Sequence, residues 1–129
     1  MGLEISHSKV DAVVLVTLRG TIIAGKDTDL LTGKAQELLE AGETRIILDL
    51  AQITFIDSTG ISALIKASTS AIRKGGAIKL LNLTRRIHEV LQITRLSSAF
   101  EIYDDLQKAL ASFGNKPEGN GSALPQGAP

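Results

Sequence analysis

The stretch Ile53-Thr54-Phe55-Ile56-Asp57-Ser58-Thr59-Gly60-Ile61-Ser62-Ala63-Leu64 changes character at its centre. An apolar, strand-like segment runs into Asp57-Ser58-Thr59-Gly60, and a helical apolar pattern starts directly behind it. This predicts Ser58 at a helix N-terminus, where unpaired backbone N–H groups and the positive end of the helix dipole favour an anion. Gly60, lacking a side chain, is expected to leave room for the backbone of another molecule. A serine in this setting can serve as an N-cap, a catalytic nucleophile or a phosphate acceptor.

Downstream, Ile61, Leu64, Ile65 and Ile72 keep helical spacing, and Ala63, Ala67 and Ala71 form a small-residue strip suited to close packing on a sheet. Gly75-Gly76 ends this helix, and Ala77 to Leu81 reads as the next strand. Thr84 is expected to cap a helix carrying Ile87, Val90 and Leu91. Phe100 to Tyr103 reads as a short extended piece, and Leu106, Ala109, Leu110 and Phe113 line a last helix.

Upstream, Arg45 to Leu50 contains Ile46-Ile47-Leu48, typical of a strand buried on both faces. Asp49 closes it as a turn residue bonding nearby backbone amides. Asp27 is expected to cap a helix with a stripe of Leu31, Ala35, Leu38 and Leu39, closed by Gly42. Leu3 to Ser8 and Val13 to Leu18 read as a hairpin turning at Lys9-Val10-Asp11, with Gly20 and Gly25 bracketing an irregular loop. Strands alternating with helices of this size give an α/β domain.

Residues 1–113 form this domain. All three prolines lie beyond Gly114 and the apolar pattern stops there, so residues 114–129 are expected to be a flexible Gly/Pro-rich tail. Fourteen basic residues balance fourteen acidic ones, which leaves no field to attract nucleic acid or anionic lipid. Aromatic residues are 3% of the chain, too few for a base-stacking platform, and without cysteine there is no disulfide or thiolate zinc site. The chain has no signal-peptide pattern and no apolar run near the roughly 20 residues of a membrane span. A cytoplasmic protein without cofactor or metal is the expectation.

A hydrolase using Ser58 needs a base and an elbow. Ile56 stands where Gly-x-Ser-x-Gly requires glycine, and His7 and His88 are the only imidazoles. A phospho-aspartate receiver needs acidic residues after its first parallel strand, whereas Arg19-Gly20-Thr21 follows Leu18. No Gly-x-Gly-x-x-Gly follows a strand, which removes a dinucleotide site. A phosphate on Ser58 would add about −1.5 to −2 charges beside Asp57. The helix start stabilises that charge and Asp57 repels it, while a docked partner would have to desolvate the pair. Such a switch acts on binding rather than on folding.

Ile46 to Leu50, Ile53 to Leu64, the stretch Ile87-His88-Glu89-Val90-Leu91-Gln92-Ile93 and Phe100 to Ala109 together resemble the STAS domain family, especially bacterial anti-sigma-factor antagonists. The resemblance spans roughly Leu3 to Phe113. It implies a single STAS domain, a mixed β-sheet packed with helices, with Ser58 as phosphoacceptor supported by Asp57, Thr59 and Gly60. The implied partners are an anti-sigma factor that is also an ATP-dependent serine kinase, bound by the unmodified form so that a sigma factor is freed, and a serine phosphatase. Ile22, Ile23 and Ser62 are the candidate partner-binding residues; oligomeric state is left open. Alternatives are a STAS module of a stress-signalling scaffold or lipid-transport complex, and a small serine hydrolase. Two positions depart from the family pattern: Ile23 stands where an acid is frequent, and Arg95 where a glycine often ends the third helix.

Overall fold

Two β-strands, β1 (Leu3–Val10) and β2 (Val13–Ile22), open the chain as an antiparallel hairpin in which Val10 faces Val13. The two-residue turn is Asp11-Ala12, both at positive φ (51° and 70°), one step later than the sequence suggests. Mirror-image turns of this kind match the right-handed twist of the strands they join. The computed structural model describes residues 2–114, so the expected tail, Gly114 apart, lies outside the described residues.

Helix α1 (Lys26–Glu40) leads to β3 (Arg45–Ile56), α2 (Ser58–Arg73) to β4 (Ala77–Leu81), and α3 (Arg85–Ile93) through a 3₁₀ turn (Ser97–Ala99) to β5 (Ile102–Tyr103); α4 (Leu106–Ser112) follows. The sheet order is β1-β2-β3-β4-β5, with β1 antiparallel and the other pairs parallel. From β2 to β5 each crossover steps to the next strand in the same direction. Right-handed crossovers then put α1, α2 and α3 on one face. Leu31, Ala35, Leu38 and Leu39 of α1, Ile61, Leu64 and the three alanines of α2, and Ile87 and Leu91 of α3 bury there against Val14, Val16, Leu18, Ile46, Leu48, Leu50, Ile78 and Leu80. Among the described residues only α4 covers the other face, where Ala109 and Leu110 meet Val13, Ile47 and Leu81. Strand alternation thus sends Ile47 to one cluster and its neighbours Ile46 and Leu48 to the other, as the apolar run predicts.

Several local expectations are corrected. β2 does not stop at Leu18: it continues through register irregularities between Thr17 and Arg19 and between Gly20 and Thr21, ending at Ile22 beside Ile56. β3 likewise runs past Asp49, whose Oδ1 does accept from Ala51 N (3.0 Å) but within the strand. The cap of α1 is Gly25. Asp27 lies inside the first turn, and its buried carboxylate accepts from Leu3 N (3.0 Å), Thr21 Oγ1 (2.6 Å) and Ile23 N (3.1 Å), tying β1, β2 and α1 together. Ile72 is 64% exposed, because the buried face of α2 centres on Leu64 and the alanine strip. Thr84 caps α3 as expected, through Oγ1 accepting from Ile87 N. α3 closes on Arg95 at φ 61°, with Arg95 N donating to Gln92 O and Leu96 N to Leu91 O. That bond pair is the one glycine usually completes, so the helix closes as it would with glycine despite the arginine.

Candidate functional site

The parallel pairing of β2 and β3 brings Ile22 and Ile56 side by side, and both chains leave the sheet there. Asp57 N donates to Ile22 O (3.3 Å), which holds the two exits together. Asp57 is extended (φ −100°, ψ −179°) and is the N-cap of α2. Its Oδ1 accepts from Gly60 N (2.7 Å) and its Oδ2 from Ala24 N (3.0 Å), so one carboxylate both caps α2 and anchors the loop leading to α1. These two amides, Ala24 first, hold its pKa below the usual 3.8, and the group is ionised at neutral pH.

Ser58 therefore occupies the first helical position rather than the cap. Its hydroxyl is exposed and makes no hydrogen bond among the described residues. Thr59 is exposed in the same turn, and the backbone N–H groups of this first turn are those a helix leaves without internal partners. Gly60 has a different role from the one expected. It is buried, and a Cβ there would stand 2.1 Å from Ile22 O and 2.7 Å from Ile56 Cγ1. The backbone it admits belongs to its own chain.

Of the apolar pair, Ile22 is wholly buried in the main core, which removes its side chain from any docking surface. Ile23 is 39% exposed. Phe55, 44% exposed and paired with Thr21 across the strands, is a surface apolar residue the sequence reading did not single out. The apolar run Ile53 to Ile56 concealed it, because the irregular register turns Ile53 and Ile56 inward and leaves Thr54 and Phe55 outside. Ser62 is exposed and shares a groove of ≈ 150 Å³ with Thr28, Asp29, Thr32, Thr59, Ala63 and Lys66. The site thus gathers Asp57, Ser58, Thr59, Ile23 and Ser62 at one end of the sheet. His7, on the edge strand β1, and His88, on α3, are exposed, and neither bonds to Ser58. Among the described residues no group of three or more His, Asp or Glu side chains could hold a metal ion.

The STAS domain family model matches residues 4–109. The anti-sigma F factor antagonist of Paenibacillus polymyxa is 24% identical over 114 residues, which are 88% of this chain and 97% of that protein. The crystal structure of the tm1081 protein of Thermotoga maritima superposes with a TM-score of 0.78 at 24% identity, covering 84% of this chain and 93% of the other. The Bacillus cell fate determinant SpoIIAA in its phosphorylated form gives a TM-score of 0.65 at 18% identity, covering 86% and 98%.

Proposed function

This chain belongs to the STAS domain family, and on that premise we propose that it is an anti-sigma-factor antagonist switched by phosphorylation of Ser58. In the unmodified state it binds an anti-sigma factor that is also an ATP-dependent serine kinase, and the sigma factor held by that kinase is freed. Transfer of the ATP γ-phosphate to the Ser58 hydroxyl ends the complex, and a serine phosphatase restores it. The chain itself is a binding protein rather than an enzyme, and it works in the cytoplasm.

The observation that carries this reading is the division of labour between Asp57 and Ser58. Because Asp57 caps α2, the serine hydroxyl next to it is exposed and committed to no internal bond. A phosphate on it adds roughly two negative charges at the positive end of α2, beside a carboxylate already satisfied by two amides. The fold tolerates that charge, whereas a partner covering Ser58 would have to strip water from it. Ile23 and Phe55 supply apolar contact area on the same end of the sheet.

Incubation with ATP and the cognate kinase, followed by peptide mapping, tests the assignment. Phosphate on Ser58 is the expected result; phosphate confined to Thr59 or Ser62 overturns it. Ser58→Asp should lower kinase affinity at least tenfold with an unchanged melting temperature. Ser58→Ala should bind like the parent and resist release by ATP.

A further inference from the structure

We propose that β1 is a dimerisation edge: two copies of the chain pair their β1 strands antiparallel, His7 opposite His7, and join their sheets into one. The outward groups of this edge follow from the hairpin. Across a two-residue turn the flanking residues, Val10 and Val13, exchange both backbone bonds, and every second pair after them does the same. Ser8, Ser6 and Glu4 therefore spend their N–H and C=O groups on β2, and Thr21 N, donating to Gly2 O (3.3 Å), continues the alternation. Leu3, Ile5, His7 and Lys9 point theirs away from the sheet. Leu3 N is already taken by the Asp27 carboxylate (3.0 Å). Ile5, His7 and Lys9 remain, each with a donor and an acceptor on an edge that no strand covers among the described residues.

Sheet edges are commonly blunted by proline, a bulge or a projecting lysine. β1 has no proline and pairs with β2 over all eight of its residues without a bulge. Its one lysine, Lys9, is drawn aside by Glu43 (2.9 Å).

The outward positions also select the register. They are symmetric about His7, so an antiparallel second copy centred there satisfies them all, with two bonds at each of three pairs: Ile5 with Lys9, His7 with His7, and Lys9 with Ile5. Centring on Ser6 would set Lys9 against Leu3, whose N–H is occupied, and centring on Ser8 would set Ile5 against the turn. In the His7 register the Lys9 stem of each copy lies along the half-buried Ile5 of the other. On the opposite face Glu4 meets Val10 and Ser6 meets Ser8, so no like charges stand across the seam.

Charge on α1 singles out a second copy over a foreign strand. α1 runs alongside β1 in the same direction, from the bond between Leu3 and Asp27 toward the ion pair of Lys9 with Glu43 beyond its end. His7 lies about 13 Å along β1 from Leu3, equal to about nine helical residues beyond Asp27. The axis through His7 thus passes between Lys34 and Glu37, an ion pair (3.4 Å) on the rim of the groove beside Ile5. Two-fold symmetry turns Lys34 of each copy toward Glu37 of the other, and the two pairs become a quartet of alternating sign. Ser58 follows β3, two strands away from the seam, so this proposal and the phosphorylation switch stand or fall separately.

Sedimentation of the full chain over a concentration series, with hydrogen exchange followed amide by amide, is the test. A reversible monomer–dimer equilibrium is expected. Rising concentration should protect the Ile5, His7 and Lys9 amides at least tenfold and leave those of Ser6 and Ser8 unchanged. His7→Glu, which sets like charges across the axis, should weaken the dimer at least tenfold without moving the melting temperature of the monomer. Glu37→Lys alone should weaken it several-fold, and adding Lys34→Glu should restore it, because the swapped quartet alternates again. A chain that stays monomeric at millimolar concentration would overturn the proposal, as would dimers without the alternating protection, oligomers larger than two, or a charge swap that restores nothing. Protection of the edge that appears only when the cognate kinase is added to a monomeric chain would also overturn it, and would assign β1 to that partner.

Discussion

Asp57 and Asp27 each spend a carboxylate on backbone amides from two different segments, and their ionisation is therefore tied to the fold. Thr21 Oγ1 is the main group holding the Asp27 pKa below 3.8, opposed by burial and assisted by Ile23 N, Leu3 N and Lys26; for Asp57 the main group is Ala24 N. Since both native values lie below the unfolded ones, the stability they supply is complete above the unfolded value. It is lost as pH falls through the native values. Urea unfolding from pH 6 downward should show a steeper loss of stability for the parent than for Asp27→Asn, most clearly below about pH 4. Parallel curves would mean that Asp27 contributes little. At neutral pH, Asp27→Asn should cost about 1–3 kcal/mol, because at least one donor among Leu3 N, Thr21 Oγ1 and Ile23 N loses its charged acceptor. At Ile23, 39% exposed, replacement by Asp should lower partner affinity more than the melting temperature. A large drop in melting temperature with affinity intact would show that Ile23 acts as core.

Helix ends and turns are the elements in which local rules and the fold disagree most. Arg95 completes the C-terminal bond pair of α3 in a left-handed conformation that glycine adopts more easily. Arg95→Gly should therefore raise stability by about 1 kcal/mol in thermal or urea unfolding. A loss would indicate that the arginine side chain contributes more than its backbone costs. Gly60→Ala should act in the opposite sense, costing about 1–3 kcal/mol or more, because its Cβ would meet Ile22 O at 2.1 Å and push α2 off the sheet. The apolar stripes of α1 and α2 and the doubly buried centre of β3 could be read directly from spacing, since burial there follows a simple period. The far end of β2 could not. Gly20 and the polar Thr21 resemble a loop, and pairing of Gly20 with Leu3 of β1 and Ile53 of β3, and of Thr21 with Phe55, makes them strand. The same non-local cause hid the role of Asp27. Its position predicts a cap, but its partners Leu3 and Thr21 come from other strands. At the candidate site the helix start is legible in the sequence, while the choice between Asp57 and Ser58 as its cap is not. Ser and Asp are both good caps, and only the approach of Ala24 N selects Asp57.

For the molecule as a whole, one-directional crossovers leave α4 as the only helical cover of the second sheet face among the described residues. Lys79, buried in β4, reaches it: Nζ donates to Ser112 O (3.2 Å) and Oγ (2.8 Å), pairs with Glu101 (3.1 Å) and lies 4.2 Å from the centre of the Phe113 ring. Lys79→Met should loosen α4 selectively, so that its amides exchange faster while those of α1 and α2 keep their protection. Uniform loss of protection would instead make α4 part of one cooperative unit with the rest. Gly2 and Leu3 are held at the opposite kind of place. Gly2 O accepts from Thr21 N, and Leu3 N donates to the carboxylate that also holds Ile23. A fluorescent protein or purification handle fused ahead of Gly2 would thus emerge beside Ile23 and compete for space with the kinase proposed to dock there, while the same handle fused behind α4 would leave from the far side of the sheet.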